Sequence, residues 1–213
     1  MKMNPLDKSP VERQEGLWRN CVDSVTHALE HFSASKEYDP FHHRKWAIIS
    51  VAHAAEVYCN LLLCVFDPNH PKGEYPSLTT ARRLLKGHSR LTESEKYVIE
   101  EVLAPLSDQR NTLMHMPVSE MLSATDTAIA LLALLHIIRR KTGITTTEFL
   151  DESSIERDIF EEIEWREYDA WYKVAEKLVM WEYGEEGYIE SCSNCGAVAV
   201  PPDMRCQACF EPE

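Results

Sequence analysis

Apolar side chains recur at every third or fourth position through most of the first 183 residues, and this spacing constrains the fold more than any other feature. It is the pattern of helices that bury one face and leave the other in water. Seven glycines and a low content of β-branched residues argue against an all-β fold. The sequence therefore predicts an all-α protein. The predicted helices span residues 11–32, 41–66, 77–86, 92–116 and 123–141, and a further helical region spans 155–183. Thr92 with Glu95 predicts a capping box at the start of the helix over 92–116, and Pro105 inside that helix is expected to bend it.

Acidic residues are concentrated in one part of the chain. The whole sequence has 35 Asp and Glu against 22 Lys and Arg, and residues 151–190 alone carry 14 acidic and four basic side chains. Residues 41–150 are nearly neutral, and their basic side chains are clustered. The overall acidity therefore does not exclude a nucleic-acid partner for this central part.

Changes in composition predict three parts within the 213 residues. We expect a helical domain over residues 1–145, an acidic helical extension over 146–187 and a small ribbon over 188–213. The extension keeps an apolar helical face, which predicts that it packs against the helical domain or against a second copy of it. A helix whose acidic face simply meets solvent is the alternative.

Four cysteines near the C-terminus form two C-x2-C pairs, Cys192 with Cys195 and Cys206 with Cys209, separated by ten residues. Two such pairs can direct four thiolates at one centre, which is the ligand set of a closed tetrahedral zinc site. Gly196 supplies the permissive backbone that such a turn needs. We expect structural Zn²⁺, because four cysteines leave no open coordination position. Iron with the same ligands is the alternative, and disulfides are a weaker one.

The first ten residues lack the apolar run of a signal peptide. The longest apolar run, residues 128–138, is shorter than the roughly 20 residues that a membrane span needs. We therefore expect a cytoplasmic protein without a membrane partner. In that reducing compartment Cys21, Cys59 and Cys64 are expected to be buried apolar side chains.

A second group of chemistry-bearing residues lies near the end of the predicted helix 92–116, in Arg110-Asn111-x-x-x-His115. Arg110 and His115 are about 140° apart around an ideal helix axis. His115 lies two residues before Pro117, on the last turn, where the backbone need not be regular. A permanently charged guanidinium near an imidazole that titrates around neutral pH is suited to phosphodiester cleavage.

This motif resembles the Arg-Asn-x-x-x-His motif of the HEPN superfamily (higher eukaryotes and prokaryotes nucleotide-binding). The helix over 46–63, with Glu56 in its middle, resembles the second helix of that family. Residues 103–109 resemble its approach helix and residues 123–141 its closing helix. The resemblance covers about residues 11–142, and it implies a bundle of four to five helices. It does not extend to the acidic extension or the ribbon.

The resemblance implies a metal-independent endoribonuclease that acts as a homodimer, with two motifs facing one cleft. Members of the family include toxins, antiphage effectors and RNA-processing enzymes. By this resemblance His115 is the acid or base, Arg110 holds the phosphate, and Asn111 orients the phosphate or the histidine. Glu56 and His53, on the facing helix, are expected to support Arg110 or His115.

Each of these residues also has a structural alternative. Arg110 can serve only as an ion-pair partner of Asp108 or Glu56, and Asn111 can serve only in hydrogen bonding within the fold. His53 is expected to be a packing residue rather than a catalytic one. Trp165, Trp171 and Trp181 are expected to be core anchors. Four basic residues are candidates for RNA binding or for an ordinary solvated helix face: Arg82, Arg83, Lys86 and Arg90.

Two classes of function follow from the sequence. The first is a HEPN ribonuclease, acting as a toxin or as an antiphage or stress effector, with a protein antitoxin or regulator as a further partner. Its acidic extension would restrict the access of RNA. The second is a non-catalytic adaptor or sensor that binds a protein partner through its helices and its ribbon. The intact motif favours the first class, and the acidic extension favours the second.

Overall fold

The computed structural model describes residues 9–35, 40–71, 74–115, 125–142, 159–183, 189–201 and 206–210. Within these residues the chain is mostly helical, as predicted, with one small two-stranded sheet. The longer helices are α1 (Pro10–Ser35), α2 (Pro40–Phe66), α3 (Leu78–Leu85), α4 (Glu93–Tyr97), α5 (Ala104–His115), α6 (Thr125–Thr142) and α7 (Tyr168–Tyr183). A π-helical turn covers Val98–Val102, and a 3-10 turn covers Trp165–Glu167. The strands are β1 (Glu190–Ser191) and β2 (Val198–Val200), and they are antiparallel.

The chain forms two compact units. The first consists of Met1–Leu91 and Ile99–Leu122, and the second consists of Thr92–Val98 and Ser123–Glu213. Packing defines these units, whereas composition defines the predicted boundaries after residues 145 and 187. Those boundaries remain predictions.

Helices α1 and α2 pack against each other and form the core of the first unit. The α1 residues that recur at helical spacing are buried, as the sequence predicts: Leu17, Cys21, Val25, Ala28, Leu29 and Phe32. Small residues on α2, including Ala47, Ala54 and Ala55, are fully buried and allow close packing. Burial raises the pKa of the Cys21 and Cys59 thiols to about 12. These cysteines are therefore inert apolar side chains, as expected.

Helix α2 also has the length and composition of a membrane span. Its segment His42–Phe66 has 25 residues, and an 18-residue window within it has a mean hydropathy of 1.7. However, 67% of the apolar window within it is buried inside the protein, and a core helix passes the same test. This segment was not identified from the sequence, because polar residues such as His53 and Asn60 divide it into short apolar runs.

The helix predicted over residues 92–116 is present in three pieces. Thr92 and Glu95 form the predicted capping box at its start. The regular ladder then gives way to the π-helical turn and resumes at Ala104. Pro105 explains the interruption, because it has no N–H to donate to the carbonyl four residues earlier. The expected bend at this proline is thus a change of helix type.

Helices α6 and α7 belong to the second unit, and both contribute buried apolar side chains to its core. The helical region predicted over residues 155–183 is interrupted, since residues 161–164 are not helical. Glu164 has an extended backbone, and its N–H donates to the Thr125 hydroxyl at 3.2 Å instead of continuing a helix. Its predicted apolar residues Ile159, Ile163 and Leu178 are nevertheless buried. Ile155 lies outside the described residues.

Candidate catalytic motif and metal centre

The motif arginine lies on α5 and meets the predicted glutamate of α2. Arg110 Nη1 donates to Glu56 Oε2 at 2.8 Å, and the two side chains are 36% and 19% exposed. The same oxygen of Glu56 accepts the Leu78 N–H at 2.9 Å, at the first residue of α3. Glu56 therefore joins α2, α3 and α5. The side chains of Asn111 and His115 lie outside the described part of the chain.

The two other residues considered as neighbours of Arg110 behave differently from Glu56. Asp108 is exposed, and its carbonyl accepts the Thr112 hydroxyl at 2.9 Å. His53 lies one turn before Glu56 on α2, and it is exposed rather than packed. Among the described residues the ion-pair partner of Arg110 is thus Glu56.

A polar row along α2, which the sequence analysis missed, holds the loop before α3. Asn60 Nδ2 donates to the carbonyls of Glu56 and Pro76, both at 2.9 Å. Its Oδ1 lies 3.3 Å from His70 Nε2, so that nitrogen is assigned the proton. Burial is the main cause of the lowered pKa of His70. The signal in the sequence was an asparagine one turn after Glu56 on an otherwise apolar helix.

The four basic residues proposed as an RNA track separate into two kinds. Arg82 donates to the carbonyls of Ile99 and Glu100 at 2.5 and 2.7 Å. It therefore binds residues of the π-helical turn that belong, like Arg82 itself, to the first unit. Arg90 lies with its guanidinium 4.8 Å from the centre of the Phe66 ring and donates to the Val65 carbonyl at 3.2 Å. These two arginines therefore have structural roles at helix carbonyls.

The other two members, Arg83 on α3 and Lys86 directly after it, are exposed. Both belong to the first unit. They remain the candidates for phosphate contacts.

The four ribbon cysteines converge on one centre. Their sulfur atoms all lie within 4.8 Å of one another, and this set could hold a metal ion. Cys192 and Cys209 are 3.7 Å apart at sulfur, and Cys195 and Cys206 are 3.8 Å apart. A tetrahedron with bonds of about 2.3 Å has edges of about 3.8 Å, so these spacings fit a four-thiolate metal site.

Both C-x2-C pairs have the same backbone geometry. Gly196 N–H donates to the Cys192 carbonyl at 2.9 Å, and Phe210 N–H donates to the Cys206 carbonyl at 3.1 Å. Gly196 has φ +76° and Phe210 has φ +61°. The left-handed glycine was predicted, whereas Phe210 was not, because a phenylalanine at that φ is uncommon. Its buried ring compensates for the backbone cost by packing.

The ribbon packs on α7 rather than standing alone. Trp171 Nε1 donates to the Ala208 carbonyl at 2.7 Å, and the indole stacks with Phe210 at 6.2 Å between ring centres. Glu176 accepts the Val198 N–H at 2.9 Å. The ribbon therefore shares its core with α7, a helix of the predicted acidic extension.

Two of the three tryptophans expected in the core are exposed. Trp171 is 2% exposed and confirms the expectation, whereas Trp165 is 81% exposed and Trp181 is 43% exposed. Trp165 is in the 3-10 turn, and Trp181 lies with its ring 5.3 Å from Tyr97 at the surface of the second unit.

Comparisons with protein-family models, curated proteins and solved structures found no match to this chain.

Proposed function

We propose that this protein is a metal-independent endoribonuclease of HEPN type with a structural zinc ribbon. The observation that carries the proposal is the ion pair between Arg110 of the Arg-Asn-x-x-x-His motif and Glu56 of α2. These residues are 54 positions apart in the chain, and the resemblance to HEPN proteins predicts that they lie on facing helices. The fold is also helical, as that family requires.

The proposed reaction is transesterification by the RNA itself. A base removes the proton of the 2′-hydroxyl, and the 2′-oxygen forms a bond to phosphorus. The bond from phosphorus to the 5′-oxygen breaks, and an acid gives that oxygen a proton. The products are a 2′,3′-cyclic phosphate and a 5′-hydroxyl. His115 supplies the acid or the base, Arg110 stabilises the charge on the phosphorane, and Asn111 orients the phosphate or the histidine.

Glu56 is the positioning residue in this proposal. One carboxylate oxygen holds both Arg110 and the first N–H of α3, so the guanidinium is fixed relative to the helix that bears Arg83. Arg110 is still 36% exposed, and a guanidinium has five N–H donors, so donors remain for a phosphate. Arg83 and Lys86 extend the cationic surface along which RNA would lie. His53, exposed on the same helix, remains a candidate for a supporting role.

One chain carries one motif histidine, whereas the reaction needs an acid and a base. We therefore propose a homodimer in which two copies of His115 share one cleft. Light scattering at micromolar concentration tests this arrangement, and a monomer that retains activity contradicts it. The cytoplasmic setting, a role as toxin or antiphage effector, and control by an antitoxin or regulatory protein belong to the same proposal.

We also propose that the metal in the ribbon is Zn²⁺ with a structural role. Four thiolates close the coordination shell, which is the arrangement of structural zinc sites. A bound divalent cation would hold these cysteines in the thiolate form. Elemental analysis of native protein should find one zinc per chain, and finding iron or no metal contradicts this assignment.

A second candidate function is a non-catalytic adaptor. The specific observation is that α7 and the ribbon form one acidic unit with Trp165 projecting into solvent. An acidic surface repels RNA, whereas an exposed tryptophan suits contact with a protein. In this case the Arg110–Glu56 ion pair is only part of the fold.

The deciding experiment is cleavage of bulk RNA in EDTA by parallel preparations of wild type, Arg110→Ala and His115→Ala. Arg19→Ala is the matched control, because Arg19 is an exposed arginine of α1. Arg110→Ala and His115→Ala should each lose at least about 100-fold in cleavage rate, since a general acid or base contributes about 10²–10⁴. The zinc content after EDTA treatment is measured in the same samples, so that loss of the ribbon is not mistaken for loss of chemistry.

The end groups and a growth assay complete the test. Cleavage should leave 2′,3′-cyclic phosphate ends, and toxicity on expression should be relieved by Arg110→Ala. Equal cleavage by wild type and both motif variants places the activity elsewhere or in a contaminant. Absence of cleavage, together with capture of a partner that depends on Trp165, supports the adaptor.

A further inference from the structure

Three histidines and a tryptophan meet where the C-terminal part of α1 packs near the start of α2, within the first unit. His31 Nδ1 and His43 Nδ1 are 3.0 Å apart, and their ring centres are 5.3 Å apart. The His42 ring lies 5.7 Å from that of His43. Trp46 stacks at 6.4 Å from His31 and lies 6.2 Å from His42. None of these side chains has a role in the proposed cleavage site.

The spacing of the two Nδ1 atoms suits a shared metal ion. Imidazole nitrogens bind first-row divalent ions at about 2.0–2.1 Å. Two of them at about 90° around one ion, as in an octahedral shell, are about 2.9 Å apart, whereas the tetrahedral angle usual for zinc separates them by about 3.4 Å. A hydrogen bond between the rings also fits this distance, but it engages one proton and leaves the arrangement of four aromatic rings unexplained. In both rings Nδ1 is the nitrogen nearest the other ring, and a shared cation would bind to this atom of each histidine.

The scaffold holds this pair before any ligand arrives. His31 and His43 belong to different helices, and those helices pack against each other as the core of the first unit. Both side chains are partly exposed, so an ion can reach them from solvent. Burial, followed by the neighbouring His43, lowers the pKa of His31, and a neutral imidazole is the form that binds metals.

We propose that His31 and His43 form a second metal site, separate from the cysteine centre, for a first-row divalent cation such as Ni²⁺, Co²⁺ or Zn²⁺. Imidazole is a preferred ligand for these ions. The described part of the chain brings no third ligand atom into the same close group, because the one set of three or more is that of the cysteines. Water or an external ligand therefore completes the coordination shell, and the site is open where the cysteine site is closed.

The test titrates Ni²⁺ into tag-free full-length protein that carries one equivalent of zinc in the ribbon. Calorimetry measures binding, and a chromophoric zinc indicator reports any displacement from the cysteines. We expect one saturable equivalent of Ni²⁺ without release of zinc. His31→Gln and His43→Gln should each weaken it by at least about tenfold, since even loss of an outer-shell partner costs about 10–100-fold. His53→Gln, at an exposed histidine of the same helix as His43, should bind like wild type.

X-ray absorption at the nickel edge of wild-type protein gives a second readout that needs no variant. Scattering from two imidazoles in a shell otherwise made of oxygen supports the proposal, and a sulfur-dominated shell overturns it. Absence of a saturable equivalent also overturns it, as does wild-type affinity in both His31→Gln and His43→Gln. The result is independent of RNA cleavage, because the residues and the assay are different.

Discussion

Replacing Trp171 with Phe should weaken metal binding by the ribbon, although Trp171 lies on α7 and is not a ligand. The indole N–H donates to the Ala208 carbonyl, and Ala208 lies between two ligands, Cys206 and Cys209. A ribbon of this size has little core of its own, so its folding and its metal binding are one equilibrium. A defect in the contact with α7 should therefore appear as a loss of metal affinity.

The structure sets the size of this loss. Ala208 and Trp171 are both buried, so Phe at position 171 leaves the carbonyl without the donor at 2.7 Å. An unsatisfied buried polar group costs about 1–3 kcal/mol. If the metal-free ribbon separates from α7, the whole cost reduces the free energy of metal binding. This corresponds to a zinc affinity that is lower by about 5- to 150-fold. Stacking on Phe210 is kept in part by the smaller ring.

The assay is equilibrium competition for zinc between the protein and a chromophoric chelator, in the presence of a reductant. Trp165→Phe is the matched control, because Trp165 is 81% exposed and belongs to the same unit. Circular dichroism of the zinc-loaded variants checks that the helices are intact.

Wild-type zinc affinity in Trp171→Phe would falsify the shared core of α7 and the ribbon. An equal loss of affinity in Trp165→Phe would also contradict the reasoning, because the effect would then not depend on the hydrogen bond to Ala208.

Two further predictions concern the first unit. Arg82→Met removes both hydrogen bonds to the π-helical turn and should lower the free energy of unfolding by about 2 kcal/mol, measured in urea, since bonds to charged groups contribute about 1.5–3 kcal/mol and partial exposure reduces this. Arg83→Met, at the exposed neighbouring residue, should change the free energy of unfolding by less than about 0.5 kcal/mol. Equal losses of stability in the two variants would contradict the structural role of Arg82. Burial raises the pKa of Cys21 and of Cys59 from 9.0 to about 12, so the stability they contribute is complete below pH 9 and is lost as the pH rises toward 12. Alkaline unfolding should therefore take up hydroxide in that range, and Cys59→Ala should flatten the dependence on pH; rapid alkylation of both thiols in the folded protein at pH 8 is the contrary result.

The candidate site was predictable where its signal is local. The spacing of the paired cysteines, with the glycine after the first pair, predicts a metal centre. In the structure the four sulfur atoms do converge on one point. The motif around Arg110 was recognised together with Glu56 through a family resemblance, and the two residues do form an ion pair. The contact between Asn60 of α2 and His70 in the following loop was missed. Helical periodicity assigns a buried asparagine to the apolar face on which it lies, so it does not mark the residue as a polar contact.

Some expectations failed because they depended on which surface a residue meets. Arg82 belongs by sequence to a basic group, yet it binds main-chain carbonyls of the π-helical turn, 17 and 18 residues later in the chain. Trp165 and Trp181 have the same composition signal as Trp171, and Trp171 alone of the three is buried. A large apolar residue is a candidate for the core, but the neighbouring elements decide whether a partner surface is present.

Local sequence encodes the helical class of the protein, the capping box at Thr92, the interruption at Pro105 and the geometry of the cysteine pairs. All of these depend on residues within a few positions of one another, where backbone sterics, side-chain caps and periodic burial act directly. Tertiary structure alone decided that one oxygen of Glu56 holds both Arg110 and α3, and that the ribbon shares its core with α7. Such contacts join residues that are far apart in the chain, and they form only when whole helices pack, so no local pattern of residues encodes them.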